Sequence, residues 1–218
     1  ATVTIVSPDG QVLVTADRVL VAIGIRPNTE GLGLEAAGAR LNRGFIQVDE
    51  HLSANGDGLY AVGDVNGKLP LAHVAQAEGV YVAERIAGLD PQPLDYLAMP
   101  RATYCNPQVA SVGLTEAEAR EQNYQVKVGK FPLAANGKTL AAGHSEGFAK
   151  LVVDASTGEL LGAHLIGHDV TELLGELSLT RLLDGTAIEL GSVVNAHPSV
   201  SEAVKEAALA ADGHAVHA

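Results

Sequence analysis

Apolar residues dominate positions 3–6 and 11–15, which read as two strands. Ser7-Pro8-Asp9-Gly10 joins them. Pro presets φ at the second turn position and Gly tolerates positive φ, so a hairpin is expected. The run from Val19 to Gly24 is continuously apolar, which predicts a strand buried on both faces, as in an α/β sheet. Arg26-Pro27-Asn28-Thr29 then stops any regular element. Short strands follow at 45–48 and 59–62, the second running into Gly63-Asp64, with a loop over 65–70. From 72 to 87 the period becomes helical, with Ala72, Ala75, Gly79, Val82, Ala83 and Ile86 recurring. A face of such small residues predicts close approach to a neighbour. Residues 88–93 read as a linker.

The second half has a different grain. Residues 101–112 predict a strand, a Pro-containing bend and a second strand. Thr115-Glu-Ala-Glu118 is a capping box opening a short helix to about 122. Strands are expected at 124–131, 147–153 and 159–166, the last two paired across 154–158. An amphipathic helix spans 170–183, with Leu173, Leu174, Leu177 and Leu182 near one stripe, and a final helix spans 199–211. The fold class is therefore α/β followed by α+β, an antiparallel sheet with helices. There is no internal repeat, and the short Ala/His-rich tail is the single biased tract.

Composition narrows the field. The 218 residues are 47% hydrophobic and 18% charged, enough for a sizeable core and unlike a disordered chain. A formal charge of −12 argues against a basic grip on nucleic acid or on an anionic membrane. No apolar run approaches the ~20 residues of a membrane span. One Cys makes no internal disulfide and no signal peptide is present, so a cytoplasmic protein is the simplest reading. The chain starts inside a strand-like run without Met, which suggests a piece of something longer.

Two segments carry candidate chemistry. A strand ending in Gly63-Asp64 puts a carboxylate where α/β folds bind ligands, able to accept hydrogen bonds from sugar or ribityl hydroxyls. Leu71-Ala72-His73 opens the next helix, whose first N–H groups are unpaired and carry partial positive charge. The bland alternatives are a simple Gly-Asp turn and a surface His. The second segment is Asn195-Ala-His-Pro-Ser-Val-Ser-Glu202, where His197 stands before a helix opening with Pro198. Here the bland alternative is a structural His, with Ser199 and Glu202 forming a capping box. Cys105 lacks a partner and sits in a strand-like stretch, where a packed or neutral thiol is expected. His164 and His168 lie four apart at a strand end, and no metal constellation is credible. His214 and His217 lie in the tail, where solvation is expected.

Taken together and in order, these segments resemble the flavin-dependent pyridine nucleotide–disulfide oxidoreductases, most closely the dihydrolipoyl dehydrogenase type. Val21-Ala-Ile-Gly-Ile-Arg-Pro-Asn28 is similar to the exit from that family's nicotinamide-binding domain. Ser53, Tyr60-Ala-Val-Gly-Asp64 and Leu71-Ala72-His73 resemble its second flavin signature. Thr103-Tyr-Cys-Asn-Pro-Gln-Val-Ala-Ser-Val-Gly-Leu-Thr-Glu116, Phe131-Pro-Leu-Ala-Ala-Asn136 and Leu161-Gly-Ala-His-Leu-Ile-Gly167 resemble its interface domain. Asn195 stands where many dihydrolipoyl enzymes carry another His.

The resemblance implies residues 1–30 as the end of an NAD-binding domain, 31–98 as part of an FAD-binding domain, and 99–218 as an interface domain. It implies FAD contacts at Gly63, Asp64, Leu71, Ala72 and His73. It implies His197 as the base that takes a thiol proton, with Glu202 orienting its ring. It further implies a homodimer through 99–218, NAD as electron acceptor, and the lipoyl domains of 2-oxo acid dehydrogenase complexes as partners. The family's two Gly-rich dinucleotide loops and its redox Cys pair do not occur in this sequence, so the expectation is a fragment inactive alone. A glutathione- or mercuric-reductase-like enzyme and a non-catalytic binding or dimerisation module are the alternatives.

Overall fold

A computed structural model of the chain describes residues 1–217. It forms two compact units, Ala1–Lys68 and Leu69–Ala218.

The first unit opens with the expected hairpin. β1 (Thr2–Ser7) and β2 (Gly10–Thr15) pair antiparallel, with Ser7 opposite Gly10 and a two-residue loop between them. Gly10 has φ +133°, outside the range that side-chain-bearing residues favour. Residues 19–24 do not form the expected strand: Leu20, Val21 and Ile23 stand exposed. A strand buried on both faces needs neighbours on both edges, and these residues enter no ladder among the described residues. β3 (Leu41–Asn42) and β4 (Phe45–Ile46) make a minimal hairpin, shorter than the strand expected to reach residue 48. The strand expected at 59–62 reduces to a single bridge between Ser53 and Tyr60, followed by a 3-10 turn, Gly63–Asn66. Ala39, Ile46, Ala54 and Ala61 form the small core that this irregular chain closes around.

The second unit begins with α1 (Ala72–Ile86), as the helical period indicates. Its buried residues are Val74, Glu78, Tyr81 and Val82. Of the face of small residues, Ala72 and Ala83 are exposed and Gly79 has no close neighbour, so the expected close approach is not made among the described residues. β5 (Arg101–Thr103) and β6 (Gln108–Gly113) flank a loop that places Cys105 in the open, not packed in a strand. α2 (Glu116–Glu121) carries the complete capping box of Thr115 and Glu118. β7 (Val126–Pro132), α3 (Gly137–Ala142), β8 (Phe148–Asp154) and β9 (Leu160–Gly167) follow. The five strands form one antiparallel sheet in the order β5-β6-β9-β8-β7.

The helix expected at 170–183 divides into a 3-10 turn, Val170–Leu173, and α4 (Leu174–Leu182). Leu173, Leu174 and Leu177 are buried, whereas Leu182 is exposed: at 3.6 residues per turn it lies about 80° from Leu174 and about 140° from Leu177, off their stripe. α5 (Ala187–Ser192) and α6 (Glu202–Ala211) complete the unit, α6 starting three residues later than expected. The core lies between the sheet and these helices: Leu151, Leu160, Leu165 and Leu177 are almost fully buried with Ala203, Val204 and Ala207 of α6. Each such Leu contributes about 1.5–3 kcal/mol of burial. α6 lies directly on β7 at Gly129, where a Cβ would overlap the Ala207 carbonyl oxygen. That contact sets the height of the helix whose first residue is Glu202.

Candidate acid–base site

His197 and Glu202 belong to the irregular stretch and first turn that join α5 to α6. His197 Nδ1 lies 2.9 Å from Glu202 Oε1. A carboxylate accepts and does not donate, so Nδ1 carries the proton and Nε2 keeps the lone pair of a base. The ring is largely exposed, at 78% of its side-chain surface. Glu202 Oε2 accepts the Ser199 N–H at 2.9 Å. The capping box thus forms by half: Glu202 takes the backbone N–H, but the Ser199 hydroxyl is buried without a partner among the described residues, and Ser201 is the N-cap. One carboxylate serves both the helix start and the imidazole. The Ser199 N–H, then the His197 ring, hold its proton affinity below the ordinary carboxylate value. The His197–Pro198 peptide is cis.

Two further groups fix this stretch, and neither was singled out in the sequence. Asn136 is buried, accepts the Thr139 N–H at 3.0 Å to cap α3, and donates from Nδ2 to the Ser199 carbonyl at 2.9 Å. An Asn just before a helix is a legible cap. Its second bond, to a residue 63 positions on, is not. Glu176 of α4 lies beside Ser201; burial raises its proton affinity and the Ser201 hydrogen bond opposes that. A cavity of about 90 Å³ opens at the site, lined among others by Phe131, Asn136, His197, Glu202, Glu206 and His217.

The other candidates are found elsewhere. In the first unit Gly63 is buried with φ +76°, while Asp64 is exposed and its carbonyl accepts the Gly67 N–H at 3.1 Å. In the second unit Leu71 is the extended N-cap of α1 and gives no side-chain cap, which leaves the N–H groups of Ala72 and His73 for another acceptor. His73 is exposed, with Nε2 2.8 Å from the Pro100 carbonyl. His164 Nε2 lies 2.9 Å from the Leu114 carbonyl, and His168 stacks on His144 at 4.3 Å between centroids. No group of three or more His, Cys, Asp or Glu able to hold a metal occurs among the described residues. His217 is exposed in the tail, as expected, and its Nδ1 lies 2.8 Å from Glu206 Oε1. Among the described residues no helix is long and apolar enough to cross a membrane.

A five-stranded antiparallel domain ending in a His–Glu dyad, preceded by a Gly-Asp turn and an uncapped helix, matches two family descriptions. Residues 99–208 match the pyridine nucleotide-disulphide oxidoreductase dimerisation domain, and residues 2–79 match pyridine nucleotide-disulphide oxidoreductase. The chain belongs to the pyridine nucleotide-disulphide oxidoreductase family. Within it, the chain is 51% identical over 207 residues to dihydrolipoyl dehydrogenase of Corynebacterium glutamicum, covering 93% of this chain and 44% of that protein. It is 47% identical over 210 residues to dihydrolipoyl dehydrogenase of Bacillus subtilis, covering 96% and 44%. The solved structure of LpdA from Mycobacterium tuberculosis superposes with a TM-score of 0.82 at 29% identity, over 94% of this chain and 45% of that one. The HOCl-induced flavoprotein disulfide reductase RclA from Escherichia coli gives 0.84 at 29% identity, over 93% and 47%. The chain spans less than half the length of the curated relatives it matches.

Proposed function

We propose that this chain supplies the acid–base and dimer-forming part of an FAD-dependent dihydrolipoyl dehydrogenase. The observation that carries the reading is the His197–Glu202 bond, which leaves Nε2 of an exposed ring as the proton acceptor. His197 takes a proton from one thiol of a reduced dihydrolipoyl group, turning it into a nucleophilic thiolate. Glu202 holds the ring in the required tautomer and stabilises the imidazolium.

Two elements fit a flavin by their chemistry. Asp64 offers an exposed carboxylate to ribityl hydroxyls, with Gly63 shaping its turn. Leu71, Ala72 and His73 offer an uncapped helix start to the electron-rich edge of the ring. FAD, when bound, would supply the redox chemistry between NAD and a disulfide that the substrate has reduced to its dithiol. The single cysteine of this chain, Cys105, does not provide that disulfide. In this reading residues 1–30 complete an NAD-binding domain, 31–98 belong to an FAD-binding domain and 99–218 form the interface. Leu179, Leu182, Leu183, Ile188 and Val194 are exposed apolar residues on the second unit, as expected of a surface that a two-fold copy covers. Lipoyl domains of 2-oxo acid dehydrogenase complexes, in the cytoplasm, are the partners proposed.

A chimera tests this. The aligned segment of the Corynebacterium glutamicum relative is replaced by this chain, and NAD reduction by dihydrolipoamide is followed. A flavin-loaded dimer with dihydrolipoamide-dependent turnover is expected. A folded, flavin-loaded chimera without turnover sinks the reading.

A further inference from the structure

α1 is tied at two points to the segment that leads into β5. Tyr96 of that segment donates its hydroxyl hydrogen to Glu78 Oε1 at 2.6 Å, and Glu78 is fully buried. Nearer the helix start, His73 Nε2 lies 2.8 Å from the Pro100 carbonyl. The segment is itself anchored to the sheet. The Leu97 carbonyl accepts the Gly113 N–H at 2.9 Å, and β5 follows in register with β6, Arg101 opposite Ser111. Asp95 stiffens the bend, its carboxylate accepting the Leu97 N–H at 2.9 Å. A carboxylate with no exposed surface carries a desolvation cost that an apolar side chain at that place would not. Burial first, then the hydrogen bond and the charge of Glu78, hold the Tyr96 hydroxyl above the ordinary phenol range, so it remains a donor. What the pair adds to apolar packing is direction. Apolar faces slide past one another, whereas a hydrogen bond to a charged group holds only within narrow limits of distance and angle.

We propose that the Tyr96–Glu78 hydrogen bond positions the start of α1 for the flavin: it fixes the helix along its axis against the sheet-anchored segment, and so fixes where the uncapped N–H groups of Ala72 and His73 stand at the electron-rich edge of the ring. Tyr96 and Glu78 are positioning residues, which act through the helix and not by contact with the cofactor. The inference rests on the reading of α1 as the flavin-facing helix. Glu78 lies about 9 Å along the axis from Ala72, at 1.5 Å per residue. Over that length a hydrogen-bonded helix moves as one body, so slippage at Glu78 appears at Ala72. The pull of a helix start on negative charge falls off within one turn, so a small displacement there is felt. The other buried side chains of α1, Val74, Tyr81 and Val82, supply mainly apolar surface, which resists separation more than sliding.

The test begins with the chain itself. In Tyr96→Phe, which removes only the hydroxyl, hydrogen exchange at the α1 amides from Ala75 to Glu78 should quicken about tenfold, the usual effect of losing a bond to a charged group. Unchanged exchange overturns the inference. The flavin-loaded chimera then reads position and not stability. In Tyr96→Phe the reduced flavin should lose about threefold in stability relative to the oxidised form, a fall in potential of about 14 mV for a two-electron couple. In Glu78→Gln, which keeps an acceptor for Tyr96, the potential should hold or rise, since loss of a negative charge favours the reduced ring. A Tyr96→Phe chimera that is less stable but keeps its flavin potential overturns the inference, because the bond is then purely structural. A fall in potential in Glu78→Gln overturns it as well, and that variant decides the matter should Tyr96→Phe not fold. An unaltered chimera that takes up no flavin sinks the flavin reading and the inference with it, a result told apart from the others by the missing flavin band.

Discussion

Glu202 binds the His197 ring at 2.9 Å with one carboxylate oxygen and holds the Ser199 N–H at 2.9 Å with the other. Orientation of the imidazole and termination of the helix are thus coupled in one side chain. Glu202→Gln can keep one acceptor but not both with a charge. Loss of about 1 kcal/mol of stability is expected, the usual cost of a damaged helix start. The ring should also lose its Nδ1–H preference. Chemical denaturation reads the first effect and ¹⁵N shifts of the His197 ring the second. A variant with unchanged stability and an unchanged tautomer would contradict the coupling.

Asn136 ties the start of α3 to the carbonyl of Ser199 from a buried position. In Asn136→Ala a part-buried carbonyl and a buried helix N–H both lose their partners. The expected loss is about 2–3 kcal/mol. In Asn136→Asp the cap survives, but a carboxylate faces the Ser199 carbonyl, so this variant should loosen the segment bearing His197 while α3 persists. Hydrogen exchange at residues 199–202 and at Thr139 separates the two.

Gly129 has no room for a side chain beneath Ala207. Gly129→Ala must push α6 away from β7, at a cost of about 3 kcal/mol or more. Because α6 carries Glu202 and Glu206, both His–Glu contacts should weaken with it. A Gly129→Ala chain of unchanged melting temperature would show that the helix is not seated there.

Acid should unfold the second unit through these carboxylates. At Glu202 the Ser199 N–H, then the His197 ring, lower the folded-state proton affinity. At Glu206 burial pushes it up, but the His217 ring and the Val216 and His217 N–H groups together outweigh that and bring it down. For a lowered carboxylate, stability is fully present above the unfolded value, ordinarily 4.5, and is lost as pH falls through the folded one. Glu176, raised by burial, acts in the opposite sense, favouring the fold below its unfolded value and losing that contribution as pH rises. Melting temperature should therefore drop as pH falls below about 5, with a shallower drop in Glu206→Gln. Equal slopes in both chains would remove Glu206 from the explanation.

What the sequence showed depended on how local each determinant is. The hairpin at Pro8-Asp9, the capping box at Thr115 and Glu118, and the paired strands around 154–158 are encoded within a dozen residues, and each forms where it was expected. The apolar run at 19–24 has strand composition, but a strand needs partners, and it pairs with none among the described residues. Cys105 sits in a strand-like stretch of sequence but lies exposed in the loop between β5 and β6. The pairing of His197 with Glu202 was legible through the family resemblance of the segment 195–202, since the local pattern by itself read equally as a capping box. Asn136 and His217 were not, since their partners are set by sheet registry and by a chain reversal after α6.

The most direct measurement is dihydrolipoamide-dependent NAD reduction by the flavin-loaded chimera, with and without His197→Gln. Loss of a general base of this kind should lower kcat/KM by about 10²–10⁴-fold, while the flavin spectrum and the dimer stay as they are. Turnover within twofold of the unaltered chimera would contradict the role of His197, and with it the proposed function of this chain.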